Sequence, residues 1–280
     1  LRRHGADWRY VAELDRWYHW NGVRWELERR NGYYKTARDL CRHALFWDGA
    51  KNLSSTARRQ LGRATTAANV VVNLRRTPDI GLVPESLDAD PWLLCTPAGT
   101  VDLRLGKLIE SAREQYCTKS TFSAPQQGEC PLWLGLIERI ANGDESMRGY
   151  VARWCGYMLT GETREESLLF IHGPAQSGKS TFVRVLSEIM GDYARTSNMD
   201  SFTARERPEH STEIAKLAGA RLVTASETDA GSRWNEQRIK VLTGRDRVAA
   251  RFMRMDEFEF MPAFKLLIYG NHRPSLKTVD

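Results

Sequence analysis

The sequence has no long apolar segment. No run among its 280 residues approaches the 18 apolar residues that a membrane helix requires. The first ten residues, LRRHGADWRY, contain neither the apolar core nor the cleavage site of a signal peptide. These absences exclude a helical membrane protein and a signal-bearing secreted protein. Because the chain begins at Leu1, we expect it to be a fragment of something longer.

Cysteine is scarce and scattered. The five cysteines are odd in number and form no C-x-x-C pair, which argues against a disulfide framework and against a zinc ribbon. We interpret them as reduced cytosolic thiols, mostly structural, which predicts a cytoplasmic location. They are Cys41, Cys95, Cys117, Cys130 and Cys155. Internal repeats and low-complexity segments are also absent from the sequence, which excludes a repeat architecture.

Charge is unevenly distributed along the chain. Lys and Arg total 41 against 35 Asp and Glu, a net charge of +6. The net charge is +8 over residues 1–80, −4 over 81–165 and +2 over 166–280. A basic first third suggests a polyanionic partner such as nucleic acid. Charge alone, however, favours the simpler interpretation that these cations solvate helices.

The first third predicts a small hairpin followed by helices. Aromatic runs flank Asn21-Gly22, which predicts a type I′ hairpin turn. The tryptophans of this segment, Trp17, Trp20 and Trp25, could stack on bases, but a core role is favoured because a small domain needs large side chains. Apolar periodicity predicts helices over about 33–47 and 54–74.

The middle third predicts short strands and then helices. From Asp90 the pattern is that of strands and turns, and helices are expected in PLWLGLIERIA and RGYVARWCGYML. After the polar residues 161–166, the run SLLFIH is typical of a buried parallel strand. We therefore predict two domains, a mainly helical accessory domain at 1–163 and a second domain at 164–280.

Directly after this strand comes a glycine-rich motif. GPAQSGKS, residues 173–180, fits G-x-x-x-x-G-K-[ST] at every fixed position and precedes a helix-periodic segment. Such a loop curls its amides around phosphate oxygens at a helix N-terminus. It predicts ATP and Mg²⁺ as cofactors, with Lys179 on the β and γ phosphates and Ser180 on the metal. The expected nucleotide-binding residues are Gly173, Pro174, Ala175, Gln176, Ser177, Gly178, Lys179, Ser180 and Thr181.

Two further polar residues follow apolar strands. Glu227 comes just past the strand 222–225, where α/β sheets place their ligands, and could position Mg²⁺ or the attacking water. Taken alone, an acid after a strand is common, and the interpretation as a solvated loop residue would be favoured. Its order after the glycine loop, and before a second apolar run that ends in Asn271, favours the catalytic role. The amide of Asn271 could hold the lytic water or the γ-phosphate.

A basic stretch, residues 233–254, lies between the acid and Asn271. Its alternation predicts a hairpin with Arg254 at the tip. Such a hairpin could contact DNA, or it could be an edge hairpin protected by charge. The sequence leaves these two alternatives open.

In combination these motifs resemble a known family. GPAQSGKST, ASETD, KVLTGRDRVAARFM and FEFMPAFKLLIYGNHRPSL are similar to the superfamily III helicases of phage and plasmid primases. DADPWLLCTPAGTVDLRLGKL and the stretch from CPLW to GYMLTGETREE resemble the domain that precedes the helicase core in those proteins, with the poxvirus primase-helicase as a distant relative. The resemblance is weakest before about residue 80.

The resemblance implies an α/β P-loop NTPase fold, an AAA+-like parallel sheet flanked by helices, preceded by a mainly helical α+β accessory domain. It implies an ATP-dependent DNA helicase of a phage or plasmid in a bacterial host cell, assembled as a hexameric ring around single-stranded DNA. An upstream primase domain of the same polypeptide is expected. Lys179, Glu227 and Asn271 match catalytic positions, and Ser180 and Glu227 match metal positions. The DNA-contacting segment of the family contains Lys240, Arg251 and Arg254.

Two departures limit the match. Ser226 stands where many P-loop enzymes carry a Mg²⁺-binding Asp, so the metal would be held through water or with the help of Asp229. The chain also stops near where the family continues towards an arginine that reaches the neighbouring subunit. A nucleotide-gated DNA-binding scaffold with little hydrolysis is therefore a rival hypothesis, and a remodeller that acts on protein is a third.

Overall fold

The structure, a computed structural model, describes residues 5–47, 52–204, 211–227, 233–254 and 256–276. It divides into two compact units, Leu1–Ala89 with Ser111–Lys119, and Asp90–Glu110 with Ser120–Asp280. Within the described residues no helix is long and apolar enough to cross a membrane.

In its described residues the first unit combines a small antiparallel sheet with three α-helices. The sheet has the order β1-β2-β3, with β1 at Trp8–Val11, β2 at Arg16–Trp20 and β3 at Trp25–Leu27. The helices are α1 at Gly32–His43, α2 at Ser55–Leu61 and α3 at Ala64–Arg75. The predicted helix over 54–74 is therefore two helices, because the chain turns to extended geometry at Arg63 after Gly62.

The predicted hairpin forms, but with a different turn. Trp20 pairs with Trp25, so four residues rather than two connect the strands. Asn21 Oδ1 accepts hydrogen bonds from the amides of Val23 at 2.9 Å and Arg24 at 2.8 Å. The type I′ prediction is wrong because this side chain closes a wider loop, in which Gly22 has a φ of 101°.

The tryptophans of the hairpin lie in the core of the first unit. Trp17, Trp20 and Trp25 are at most 8 % exposed. The ring of Trp17 stacks on Tyr33 of α1 at a centroid distance of 5.1 Å. Their burial agrees with the core role rather than with base stacking.

The second unit is built on a parallel sheet. Its strand order is β7-β12-β9-β8, from β7 at Leu168–His172, β8 at Ala194–Thr196, β9 at Leu222–Glu227 and β12 at Lys265–Gly270. Among the described residues, the further strands and α-helices of this unit are β4 at Leu93–Thr96, β5 at Gly99–Asp102, β6 at Lys107–Ile109, α4 at Pro131–Ala141, α5 at Glu145–Leu159, α6 at Lys179–Met190, α7 at Ser211–Ala215, α8 at Glu236–Thr243, β10 at Val248–Arg251 and β11 at Glu257–Phe260.

Alternate residues of the central strands face two separate cores. Leu266 and Ile268 of β12 pack in a cluster with Ile239 of α8, whereas Leu267 between them packs with Phe182 of α6 and Trp154 of α5. Side chains of a strand alternate between faces, so this division places helices on both sides of the sheet. The predicted parallel sheet flanked by helices is thereby confirmed.

The packing also decides where α4 and α5 belong. Trp133 of α4 stacks on Phe182 at 5.4 Å, and Met158 of α5 lies in the same core cluster as Phe182. Both helices are thus in the unit of the parallel sheet. The division by packing differs from the predicted domains 1–163 and 164–280, because the apolar faces of these helices cover the sheet.

All five cysteines are free thiols. Cys41, Cys95 and Cys117 are buried, and burial raises the pKa of Cys155 to about 11. A thiol with a raised pKa is unreactive at neutral pH, which agrees with a structural role.

Candidate functional site

A cavity of about 460 Å³ lies at the carboxyl end of the parallel sheet. The loop after β7, the end of β9 and the end of β12 all open into it, because parallel strands bring their carboxyl ends to one edge. The lining residues are Ala175, Gln176, Ser177, Gly178, Lys179, Ser180, Thr181, Ser226, Glu227, Tyr269, Gly270 and Asn271. The glycine loop, the acid and the amide predicted from sequence thus meet at one site.

The glycine loop joins β7 directly to α6. Gly178 has a φ of 91°, a conformation that favours glycine, and a Cβ at this position would lie 3.0 Å from Leu136 Cδ1. Helix α6 begins at the next residue and runs for 12 residues. Its first amides have no acceptor within the helix, and its dipole is positive at this end, so the loop suits an anion.

The side chain of Lys179 folds back onto the loop. Its Nζ donates hydrogen bonds to the carbonyl oxygens of Gly173 and Pro174, each at 2.8 Å, and to Ser177 Oγ at 3.2 Å. These contacts hold a positive charge over the loop that precedes α6. An arriving phosphate oxygen could replace the carbonyl oxygens as the acceptor.

Glu227 is the last residue of β9 and is only 6 % exposed. Trp234 Nε1 donates a hydrogen bond to its Oε2 at 3.1 Å. The indole itself is buried and packs edge-on against Phe170 of β7 at 5.2 Å. Trp234 therefore restrains the carboxylate, a contact that sequence reasoning missed because nothing in the local pattern links the two residues.

Gly270 at the end of β12 permits the close approach of Glu227. It lies opposite Glu227 on one side and His172 on the other. A Cβ on Gly270 would lie 2.7 Å from Glu227 Cβ and 2.9 Å from its carbonyl oxygen, closer than side chains pack. Asn271 follows directly, is exposed and lines the cavity. Gly270 was not singled out from the sequence, although it precedes the predicted amide.

The expected metal ligands fit Mg²⁺ chemistry. Ser180 and Glu227 both line the cavity and offer oxygen atoms, which Mg²⁺ prefers. In sites of this kind the ion is held by one or two carboxylates together with substrate phosphates and water. Ser226, which stands where many P-loop enzymes carry a Mg²⁺-binding Asp, also lines the cavity. Asp229, the other expected contributor, is outside the described residues.

The basic residues expected to contact DNA do not line this cavity. The predicted hairpin forms: β10 pairs with β11 in antiparallel register, with Arg251 opposite Glu257. Arg254 lies in the connection, with a φ of 61°. Lys240 is exposed on α8, and Arg251 and Arg254 are exposed as well.

Comparison with protein families decides where the chain belongs. A family model described as D5 N terminal like matches residues 1–142, just over half of the chain. The chain belongs to the D5 N terminal like family. A second model, of a family of unknown function, matches residues 171–280, which include the glycine loop, Glu227 and Asn271.

Two viral proteins are similar to this D5 N terminal like chain. A putative helicase of Acanthamoeba polyphaga mimivirus, L207/L206, is 25% identical over 232 residues, which are 79% of this chain and 24% of the relative. Putative helicase 022R of Frog virus 3 (isolate Goorha) is 27% identical over 143 residues, which are 49% of this chain and 15% of that protein. The chain spans a quarter or less of the length of these relatives.

Solved structures of the C-terminal region of NrS-1 share the fold. The A form apo structure has a TM-score of 0.57 at 11% identity, and the match covers 98% of this chain and 55% of that chain. Another apo structure of the same region has a TM-score of 0.54 at 12% identity, and covers 96% of this chain and 57% of the other. Together with the family match, these similarities confirm the resemblance to phage-type primase-helicases with a D5 N-terminal domain.

Proposed function

We propose that the chain is the ATP-dependent helicase core of a replication primase-helicase, which hydrolyses ATP to translocate on single-stranded DNA and unwind duplex. The observation that carries this proposal is the meeting of the glycine loop, Glu227 and Asn271 in one cavity. The two viral relatives are named putative helicases, which supports the same class of activity. A P-loop NTPase core, a hexameric ring, an upstream primase domain and a bacterial host cell belong to the proposal.

The residues of the cavity suit phosphoryl transfer to water. The loop 173–181 would hold the phosphates through its backbone amides, apart from Pro174, which has no N–H. Lys179 would exchange its carbonyl acceptors for phosphate oxygens. Ser180 and Glu227 would hold Mg²⁺, which neutralises phosphate charge when it is bound with ATP. Glu227 would accept a proton from the attacking water, and the Asn271 amide would orient that water or the γ-phosphate.

ATP hydrolysis with and without single-stranded DNA tests the proposal. We expect Lys179→Ala to lose nucleotide binding and Glu227→Gln to retain binding while turnover falls by about 10² or more. Glu188→Gln is the matched control, because this exposed glutamate of α6 does not line the cavity. Normal turnover by Glu227→Gln would show that the acid is misassigned.

A nucleotide-gated DNA-binding ring scaffold is the second candidate. Ser226 favours it, because this residue of the cavity replaces the Asp that holds Mg²⁺ in many P-loop enzymes. Bound ATP without turnover in the wild-type chain, combined with ATP-dependent DNA binding, would establish the scaffold instead of the helicase. A protein remodeller is distinguished from both by Arg251→Ala with Arg254→Ala, which should weaken DNA binding only if the hairpin contacts DNA.

A further inference from the structure

The helical part of the first unit carries a segregated positive charge. Residues 29–47 and 52–77 contain ten Lys or Arg and one acidic residue, Asp39. Residues 5–28, which form the sheet of the same unit, contain three basic and five acidic residues. The positive charge of the first third therefore resides in the helices and is absent from the sheet beside them.

The packing of α1 determines which of its residues face outward. Ala37 and Cys41 are buried, and Ala37 shares a core cluster with Val71 of α3. The opposite side of α1 exposes Lys35 and Arg42, which are two helical turns apart. The surface of α1, the short turn 44–46 and α2, which we call the α1–α2 face, carries five Lys or Arg and one acidic residue. Arg59 on α2 is exposed, as Lys35 and Arg42 are.

Two large aromatic side chains are exposed at the end of this face. Phe46 is 84 % exposed and Trp47 is 52 % exposed. Phe46 lies four residues after Arg42, and residues four apart in a helix lie on the same side. Phe46 in the turn 44–46 therefore extends the side of α1 that exposes Arg42. By contrast the tryptophans of the sheet are buried and cannot stack on a ligand.

Simple solvation does not account for this surface. A face that only needs solubility carries both charge signs interspersed, because like charges repel each other. On the α1–α2 face the ratio of basic to acidic residues is five to one, and the exposed aromatic rings add apolar area that solvation does not favour. Cations that track a backbone, combined with exposed aromatic rings, are the two components by which proteins bind single-stranded nucleic acids.

We propose that the α1–α2 face binds single-stranded nucleic acid. Lys35, Arg42 and Arg59 contact phosphates, and Phe46 and Trp47 stack on bases. A membrane surface fits less well, because an interfacial helix inserts its apolar side into lipid, whereas the apolar side of α1 is packed against α3. This binding site goes beyond the proposed ATPase and does not require hydrolysis.

The test measures fluorescence anisotropy of labelled dT30 and rU30 with the intact chain over a range of salt concentrations. We expect Phe46→Ala and Trp47→Ala each to lower affinity about five-fold or more, through lost stacking. Arg42→Glu should lower affinity and flatten the slope of log K against log salt by about 0.7. Arg16→Glu, an exposed position on β2, makes the same change of charge in the same unit and should leave binding unchanged.

Further measurements distinguish binding at the α1–α2 face from binding at the β10–β11 hairpin and from binding to a lipid surface. With Arg251 and Arg254 both replaced by Ala, residual binding should remain, and Arg42→Glu should weaken it further. If the α1–α2 variants bind both oligonucleotides as the wild-type chain does, the proposal is overturned, while the hairpin assignment is judged by its own variants. Binding to phosphatidylserine vesicles that Arg42→Glu removes, with unchanged oligonucleotide binding, would also overturn it. Equal affinity for dT30 and rU30 supports phosphate and stacking contacts, and a preference identifies the natural strand.

Discussion

Replacement of the buried Lys265 by methionine tests how this amine makes the free energy of unfolding depend on pH. Lys265 begins β12 and is 1 % exposed. Its Nζ donates hydrogen bonds to the carbonyl oxygens of Thr160, of Glu162 at 3.1 Å and of Ala263 at 3.3 Å, and lies over the Tyr157 ring at 4.9 Å. Burial, with a smaller contribution from the charge of Arg221, lowers the pKa of Lys265 from 10.5 to about 7.

The direction of the pH effect follows from this lowered pKa. Between about pH 7 and 10.5 the unfolded chain binds a proton at Lys265 that the folded chain has released, so rising pH favours folding. Below about pH 7 both states hold the proton, and the dependence disappears. Within the window one proton corresponds to about 1.4 kcal/mol per pH unit. From pH 7.5 to 9 the wild-type chain should therefore gain about 2 kcal/mol relative to Lys265→Met.

Urea unfolding followed by circular dichroism at pH 6, 7.5 and 9 measures this difference. The comparison between wild type and Lys265→Met removes the pH dependence of all other groups. Lys107→Met, at an exposed position on β6, is the matched control and should run parallel to wild type. A Lys265→Met profile that also runs parallel to wild type from pH 6 to 9 would refute the reasoning, because the surrounding carbonyl oxygens would then hold the ammonium charged.

Three further predictions concern the cavity. Trp234→Phe keeps a ring against Phe170 but loses the hydrogen-bond donor to Glu227. Because a hydrogen bond to a charged group is worth about 1.5–3 kcal/mol, we expect ATP turnover to fall about ten-fold at unchanged nucleotide affinity. Turnover equal to that of the wild-type chain would show that Trp234 does not restrain Glu227. Gly270→Ala should displace Glu227, and we expect lower ATP turnover in a hydrolysis assay and a lower melting temperature by calorimetry. If neither value changes, the strands accommodate a Cβ at this position. Gly178→Ala should weaken binding of a fluorescent ATP analogue, because a side chain at this φ costs about 1–3 kcal/mol of backbone strain. An affinity equal to that of the wild-type chain would show that the loop relaxes.

The cavity could be assembled from sequence to a large extent. The glycine loop is contiguous, and its strand and helix flanks are set by local periodicity, so β7 and α6 form where the pattern predicts them. Glu227 and Asn271 follow apolar strands, and the rule that parallel strands end at one edge brings them to the loop. Each of these inferences needs only short-range pattern and a general property of parallel sheets.

Contacts that depend on tertiary packing could not be predicted in this way. The Trp234 indole on Glu227, the fit of Gly270 against β9 and the burial of Lys265 against the end of α5 depend on how whole elements pack. The basic character of the α1–α2 face also needed the structure, because the burial of Ala37 and Cys41 identifies the outward side of α1.

The sequence by itself determined the strand, loop and helix around residues 173–180, the apolar strands that precede Glu227 and Asn271, and the hairpin of the first unit, because these rest on local pattern. Tertiary structure alone decided the width of the turn at Asn21, the unit to which α4 and α5 belong and the partners of Glu227. The physical reason is that burial and side-chain contact are properties of packed faces, and a single chain pattern does not say which faces meet.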